Sequence, residues 1–163
     1  MTHAAPPKRR SVEQQQQLEQ ALTELWEQRI SFNQLLGLKM LSLKAGDVRV
    51  RLDMRPELVG HYAYGRLHGG VISATLDALG GMALMVELGE THADESADQV
   101  MHRFGRMGTI DLRVDFLRPG LGQHFIGRAE VTRLGGRIGS TQMRLVNDQG
   151  VLIATAAASF VVA

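Results

Sequence analysis

The chain has 163 residues, with 18 Lys and Arg against 17 Asp and Glu and a formal net charge of +1. That length suits one domain able to bury roughly 70% of the surface its unfolded chain exposes. The balance excludes the electrostatic footprint of a nucleic-acid or polybasic membrane partner. The absence of Cys excludes disulfides and thiolate catalysis and suits a reducing, cytoplasmic compartment. The apolar fraction is skewed, with 44% of residues hydrophobic, 5% aromatic and 18 Gly, so the core must be built from aliphatic and small side chains with backbones close together.

Residues 1–10, ending in Pro6-Pro7-Lys8-Arg9-Arg10, have no periodicity and no apolar stretch fit for a secretory signal. They read as a disordered lead-in. Ser11-Val12-Glu13-Gln14 fits a capping box, and Leu18, Ala21, Leu22, Leu25 and Trp26 then recur at helical spacing. This predicts an amphipathic helix over 11–30 that covers one side of the main domain, residues 31–163. Residues 38–44 form a plausible first strand. Val48, Val50, Leu52 and Met54 alternate with Asp47, Arg49, Arg51 and Asp53 in a half-buried strand. Ile110, Leu112, Val114 and Phe116 alternate in the same way with Thr109, Asp111, Arg113 and Asp115. Further strands are predicted at 123–134, 138–147 and 152–162, separated by the turn signals Gly135-Gly136 and Asn147-Asp148-Gln149-Gly150. Short turns between successive strands imply an antiparallel sheet with one wet and one dry face.

Residues 69–88 are apolar on every face of a predicted helix and long enough to raise the question of a membrane span. Asp77 at the centre, Ser73, Thr75 and four glycines speak against that. A helix apolar all round must be wrapped by protein, and the dry face of the sheet is available to wrap it. The fold class is therefore α+β: a hotdog fold, with a curved antiparallel sheet of five to six strands around one long central helix and an extra N-terminal helix. Residues 89–106 form a polar insertion, a loop with a short helix near 94–104, either a solvated face or a lid.

An unpaired carboxylate within a packed helix is expensive, so Asp77 is either paired or there to do chemistry. His68-Gly69-Gly70 stands at the start of the same helix, where free backbone N–H groups and the dipole suit a developing oxyanion. Without side chains, Gly69 and Gly70 let a substrate carbonyl approach those amides. The eight residues from Gly69 to Asp77 span about 12 Å of helix, too far to act on one bond. If both features act together, a two-fold dimer with antiparallel helices would bring Asp77 of one chain to Gly69 of the other and create two equivalent sites.

Leu67-His68-Gly69-Gly70, the Asp nine residues after the His, and the run from Thr109 to Gly120 together resemble the PaaI-like branch of the hotdog thioesterases. The segment around Met107–Gly120 looks most like the bacterial YigI-type acyl-CoA thioesterases, and the likeness spans residues 30–163. It implies hydrolysis of acyl-CoA, of medium or long chain, in lipid metabolism. It also implies a homodimer, or a dimer of dimers, and no cofactor, CoA being part of the substrate. By the same resemblance, Gly69 donates its N–H to the thioester carbonyl and His68 shapes the loop. Asp77 of the facing subunit is general base or nucleophile, and Thr109 helps to orient the attacking water. Related enzymes often carry an Asn six residues before the His; here Tyr62 stands there, with His61 beside it, and either could replace that donor. Arg118 and Arg137, in turns near strand ends, are candidates for the CoA phosphates.

The remaining histidines, His3, His92, His102 and His124, show no metal-ligand spacing, so no metal is expected. Met82 and Met85 fill the core or line an acyl tunnel. Two other functions compete. A hotdog enoyl or 3-hydroxyacyl thioester hydratase-dehydratase would carry an H-F-P-like helix entry, which is missing. A non-catalytic acyl-CoA-binding protein would need an output module, and the helix at 11–30 stands alone.

Overall fold

The structure is a computed structural model describing residues 9–162; residues 1–8 of the expected lead-in, His3 among them, lie outside the described residues. Arg10 belongs to the fold rather than to a lead-in. Its backbone N–H donates to the Ala93 carbonyl at 2.6 Å, and its guanidinium donates to the carbonyls of His92 and Glu95 at 2.8 and 3.0 Å and to that of Gly89. The expected lead-in was therefore too long at its C-terminal end.

The capping box at Ser11 forms as its chemistry requires. Ser11 Oγ accepts from the Gln14 N–H and Gln14 Oε1 from the Ser11 N–H, both at 3.2 Å, and α1 runs over Val12–Glu24. It continues as a π-helical turn, Leu25–Arg29, and the two together bury Leu18, Leu22, Leu25 and Trp26. A second helix follows that periodicity did not reveal: α2, Ser31–Leu36, is only six residues long, too short to show a repeat. Asn33 Nδ2 donates to the Trp26 carbonyl at 3.2 Å, and Gly37, at φ 74°, ends the helix in the left-handed conformation.

The sheet comprises β1 (Lys39–Lys44), β2 (Asp47–Asp53), β5 (Gly108–Phe116), β6 (His124–Leu134), β7 (Ile138–Asn147) and β8 (Leu152–Val161). All pairs are antiparallel, in the order β1-β2-β6-β7-β8-β5, so β1 and β5 are the two edges. Between β2 and the central helix lie a 3-10 turn, Pro56–Leu58, and a small hairpin of β3 (Val59–His61) and β4 (Arg66–Leu67). The central helix, α3, spans Gly69–Thr91, and α4 (Ala97–Phe104) follows.

The sheet wraps α3 closely because both surfaces are small at the crossings. A Cβ at Gly80 would lie 2.8 Å from Thr141 Oγ1, and one at Gly127 2.8 Å from Leu79 Cδ2. On the inner side of β8, Ala154, Ala156 and Ala158 precede Phe160. Among the described residues, α3 is the one helix long and apolar enough to cross a membrane, but most of that stretch is buried within the domain. Met82 and Met85 are core side chains, 2% and 0% exposed. The wrapping is incomplete, however. Ser73, Ala74, Asp77, Ala78 and Gly81 are only half-buried, one strip along the helix left uncovered within the chain.

The 89–106 insertion is not a lid over the start of α3. Val100 of α4 is fully buried, and Gly89 packs near Leu18 and Val100, so the insertion docks on α1 at the opposite end of α3. That end is about 33 Å from Gly69 along the helix.

Candidate active site

The loop before α3 is held by backbone contacts on both sides. The His68 N–H donates to the Leu58 carbonyl and the Leu67 N–H to the Gly120 carbonyl, each at 2.9 Å. Neither clamp has room for a side chain: a Cβ at Gly60 would lie 2.7 Å from His68 Cα, and one at Gly120 2.9 Å from Leu67 Cβ. Gly60 is therefore a positioning residue that spacing did not reveal, since its partner is fixed by the β3–β4 hairpin. The Arg118-Pro119-Gly120 turn acts here first as a brace.

His68 is the N-cap of α3. Its Nδ1 accepts the Gly70 N–H at 2.8 Å. The Val71 and Ile72 amides close onto the His68 carbonyl. No hydrogen bond among the described residues uses the Gly69 N–H. This narrows the expectation for the loop: Gly70's amide is spent within the chain, and Gly69's is the open donor at the helix start.

Asp77, about two turns further along the helix, is half-buried rather than sealed in the core, and its Oδ1 accepts from Thr109 Oγ1 at 2.9 Å. Strand parity alone would put Thr109 on the wet face, alternating with Ile110, Leu112 and Val114. A bulge between Thr109 and Asp111 changes this: Thr109 pairs with the inward-facing Phe160, while Asp111 pairs with Ser159. The extra residue, Ile110, is turned out and 53% exposed. The bulge thus aims Thr109 at α3. The second oxygen of Asp77 accepts no hydrogen bond among the described residues.

Strand β5 runs beside the open strip of α3, with Thr109 against Asp77 and Phe116 against Gly69, where an added Cβ would lie 3.3 Å from Phe116 Cε1. A groove of about 510 Å³ opens at the Gly69 end, lined among others by His61, Arg66, His68, Phe116 and Arg118. Arg118 donates to the Leu152 carbonyl at 3.1 Å, and Arg66 stacks over Tyr64 at 4.6 Å with its buried Nε unpartnered. Arg66 carries no sequence signal, because β4 is only two residues long and shows no repeat. Tyr62 is 95% exposed and stands outside this groove, whereas His61 lines it. Arg137 is not brought here either. It sits at the turn before Ile138, whose partner Val161 also pairs with Gly108, and so at the Thr109 end of β5. Among the described residues, no group of three His, Asp or Glu side chains is placed to hold a metal ion.

An open amide at a glycine-lined helix start can stabilise an oxyanion, and a half-exposed carboxylate oriented by a hydroxyl can take a proton or attack. Both halves of an acyl-transfer site are therefore present on one helix face. The sequence profile of the Thioesterase superfamily matches residues 64–154, which take in this loop, all of α3 and β5. The chain belongs to that superfamily. It is 35% identical, over 88% of its length and 95% of theirs, to the medium/long-chain acyl-CoA thioesterases YigI of Salmonella typhimurium and Escherichia coli. Among solved structures, a Shewanella oneidensis protein related to the thioesterase superfamily is 36% identical, with a TM-score of 0.87 over 94% of this chain and 100% of that one.

Proposed function

We propose that this acyl-CoA thioesterase hydrolyses medium- to long-chain acyl-CoA to free acid and CoA as a homodimer, without a cofactor, in the cytoplasm. One observation carries the reading: the open Gly69 amide and the Thr109-oriented Asp77 lie on the same uncovered strip of α3, about 12 Å apart. Neither can serve the other within one chain. Two copies packed about a two-fold axis across that strip pair each amide with Asp77 of the partner subunit. The free edge of β5 supports this packing, for it exposes Ile110, Phe116 and Leu117 at 53%, 56% and 48%.

In each site the thioester carbonyl accepts the Gly69 N–H, while His68 keeps Gly70 engaged and the loop rigid. Thr109 holds one oxygen of Asp77, leaving the other to draw the proton from an attacking water or to attack the carbonyl itself. The tetrahedral oxyanion then collapses and expels the CoA thiolate, giving the free acid directly if water attacked, or a mixed anhydride on Asp77 that a water then hydrolyses to the acid and the free carboxylate. Arg118 faces the CoA phosphates from the Gly69 side. Under the two-fold, the partner subunit's Arg137 approaches from the Asp77 side.

A mixing experiment tests the arrangement. Asp77→Asn and Gly69→Val, purified separately, should each lose at least ~10²-fold in free-thiol release from acyl-CoA while staying folded by circular dichroism. Unfolded together and refolded as an equal mixture, they should recover about a quarter of wild-type activity, because half the dimers then carry one intact site. Wild-type turnover in Asp77→Asn, or no recovery on mixing, would overturn the shared site.

A further inference from the structure

His68 lines two grooves, and their chemistry differs. The one described above carries His61, Arg66 and Arg118 and has no carboxylate among its lining residues. The other, of about 540 Å³, runs from His68 and Gly70 over Val71 and Leu58 to α2, where Phe32 and Leu35 form its far wall; Arg55 and Glu57 are the charged residues in an otherwise mainly apolar lining. That volume falls within the usual range for small-molecule sites. The short helix α2 is built to present this wall. Asn33 and Leu36 point inward and are 2% and 4% exposed, whereas Phe32 and Leu35, also three residues apart, are turned out at 55% and 66%. The Arg55 guanidinium, donating to the Leu35 carbonyl at 2.5 Å, fixes the end of the helix that carries them. Two large apolar side chains are thus held open to solvent, continuous with the loop that offers the Gly69 amide.

Resting on the acyl-CoA reading above, the geometry points to the α2 groove as the seat of an unbranched acyl chain, with Phe32 and Leu35 setting how long a chain it takes. The substrate has one apolar arm and one anionic arm meeting at the thioester. The fold has one mainly apolar groove, bordered by Gly70 and Val71, and one arginine-lined groove, bordered by Gly69, and the two meet at His68. A carbonyl on the Gly69 amide sends its acyl arm toward Val71 and Leu35 and its CoA arm toward Arg66 and Arg118. Each methylene laid in the groove should raise affinity by up to about fourfold.

The experiment has a turnover arm and a binding arm, on full-length wild type, Leu35→Trp and Leu35→Asp. Leu35 is exposed, so both variants should fold. Hydrolysis is measured across saturated acyl-CoA esters from butyryl to palmitoyl. Leu35→Trp should move the optimum to shorter chains, and Leu35→Asp should lower kcat/KM for the longer esters at least tenfold, with butyryl-CoA within twofold of wild type. Binding of S-butyl- and S-dodecyl-CoA, thioethers that cannot be hydrolysed, is followed by calorimetry. Wild type should favour the longer alkyl chain, and Leu35→Asp should lose that preference. An unchanged chain-length profile, or an equal fall at all lengths, overturns the groove assignment while leaving the thioesterase reading intact. If wild type hydrolyses no ester yet shows an alkyl preference that Leu35→Asp abolishes, the groove stands and the thioesterase reading falls.

Discussion

The two ends of α3 are built for opposite purposes. At the N-terminal end the chain spends only what it must: Gly70's amide goes to His68, and Gly69's is left open above a solvent groove. At the C-terminal end Arg10 takes the carbonyls of Gly89 and His92, and the loop beyond is held by Arg103, which donates twice to the Glu95 carboxylate, at 2.9 and 2.5 Å. Val100 and Leu18 close over Gly89. The difference shows how one helix serves chemistry and stability together. Its donors are useful to a substrate only while unsatisfied, and its acceptors are useful to the fold only when satisfied. Substitutions at the N-terminal end should therefore move activity more than stability, and at the other end stability without activity.

The largest effect is expected at Gly60. A side chain there meets the His68 backbone at 2.7 Å, so Gly60→Val must displace the loop and misplace the Gly69 amide. Thiol release should fall about 10²–10³-fold, as for loss of an oxyanion donor, with the far-ultraviolet spectrum unchanged; near-normal turnover would break the contrast. His68→Ala comes next, removing the cap on Gly70 at a stability loss of about 0.5–2 kcal/mol and loosening the loop. His68→Asn, which can cap again, should recover both melting temperature and part of kcat.

At the other end, Arg10→Ala removes charged hydrogen bonds worth about 1.5–3 kcal/mol together. It should lower the melting temperature by several degrees, at about 2–4 °C per kcal/mol, with kcat/KM within twofold of wild type. A loss of activity matching the loss of stability would show that the two ends are not separate. The smallest effect concerns pH. The Arg103 hydrogen bond, opposed by burial and aided by the Arg103 charge, holds the Glu95 carboxyl below its ordinary value of 4.5. A carboxyl with a lowered folded-state pKa stabilises above its unfolded value and loses that contribution as pH falls through the folded one. Glu95→Gln should therefore melt below wild type at neutral pH and converge with it in acid, below the folded-state pKa of Glu95. An equal gap at both pH values would remove the ion pair from the account.

Much of the fold was legible because its signals are local. Period-two alternation marked β2 and β5, the turn signals marked the hairpins, and Ser11 and Gln14 announced their own cap. The candidate loop at His68-Gly69-Gly70 and the carboxylate at Asp77 were legible as residue types in a costly place. What was not legible has a common physical form. Parity put Thr109 on the wrong face, because a bulge depends on how β5 meets β8 and not on β5 alone. By residue type Gly70 is as open a donor as Gly69, but the His68 ring occupies its amide. Arg10 passed for lead-in because its partners lie about 80 residues away.

The sequence by itself determined the α+β class, the strands and the long apolar helix that only a sheet could cover, because periodicity and capping are properties of neighbours along the chain. It also determined that a glycine-lined helix start and a lone Asp share that helix. Only the tertiary structure decided that Gly69's amide is the one left open, that Thr109 turns inward to Asp77, and that an apolar and an arginine-lined groove meet at His68. Those outcomes are set by backbone hydrogen bonds and close contacts between segments far apart in sequence, which no local pattern encodes.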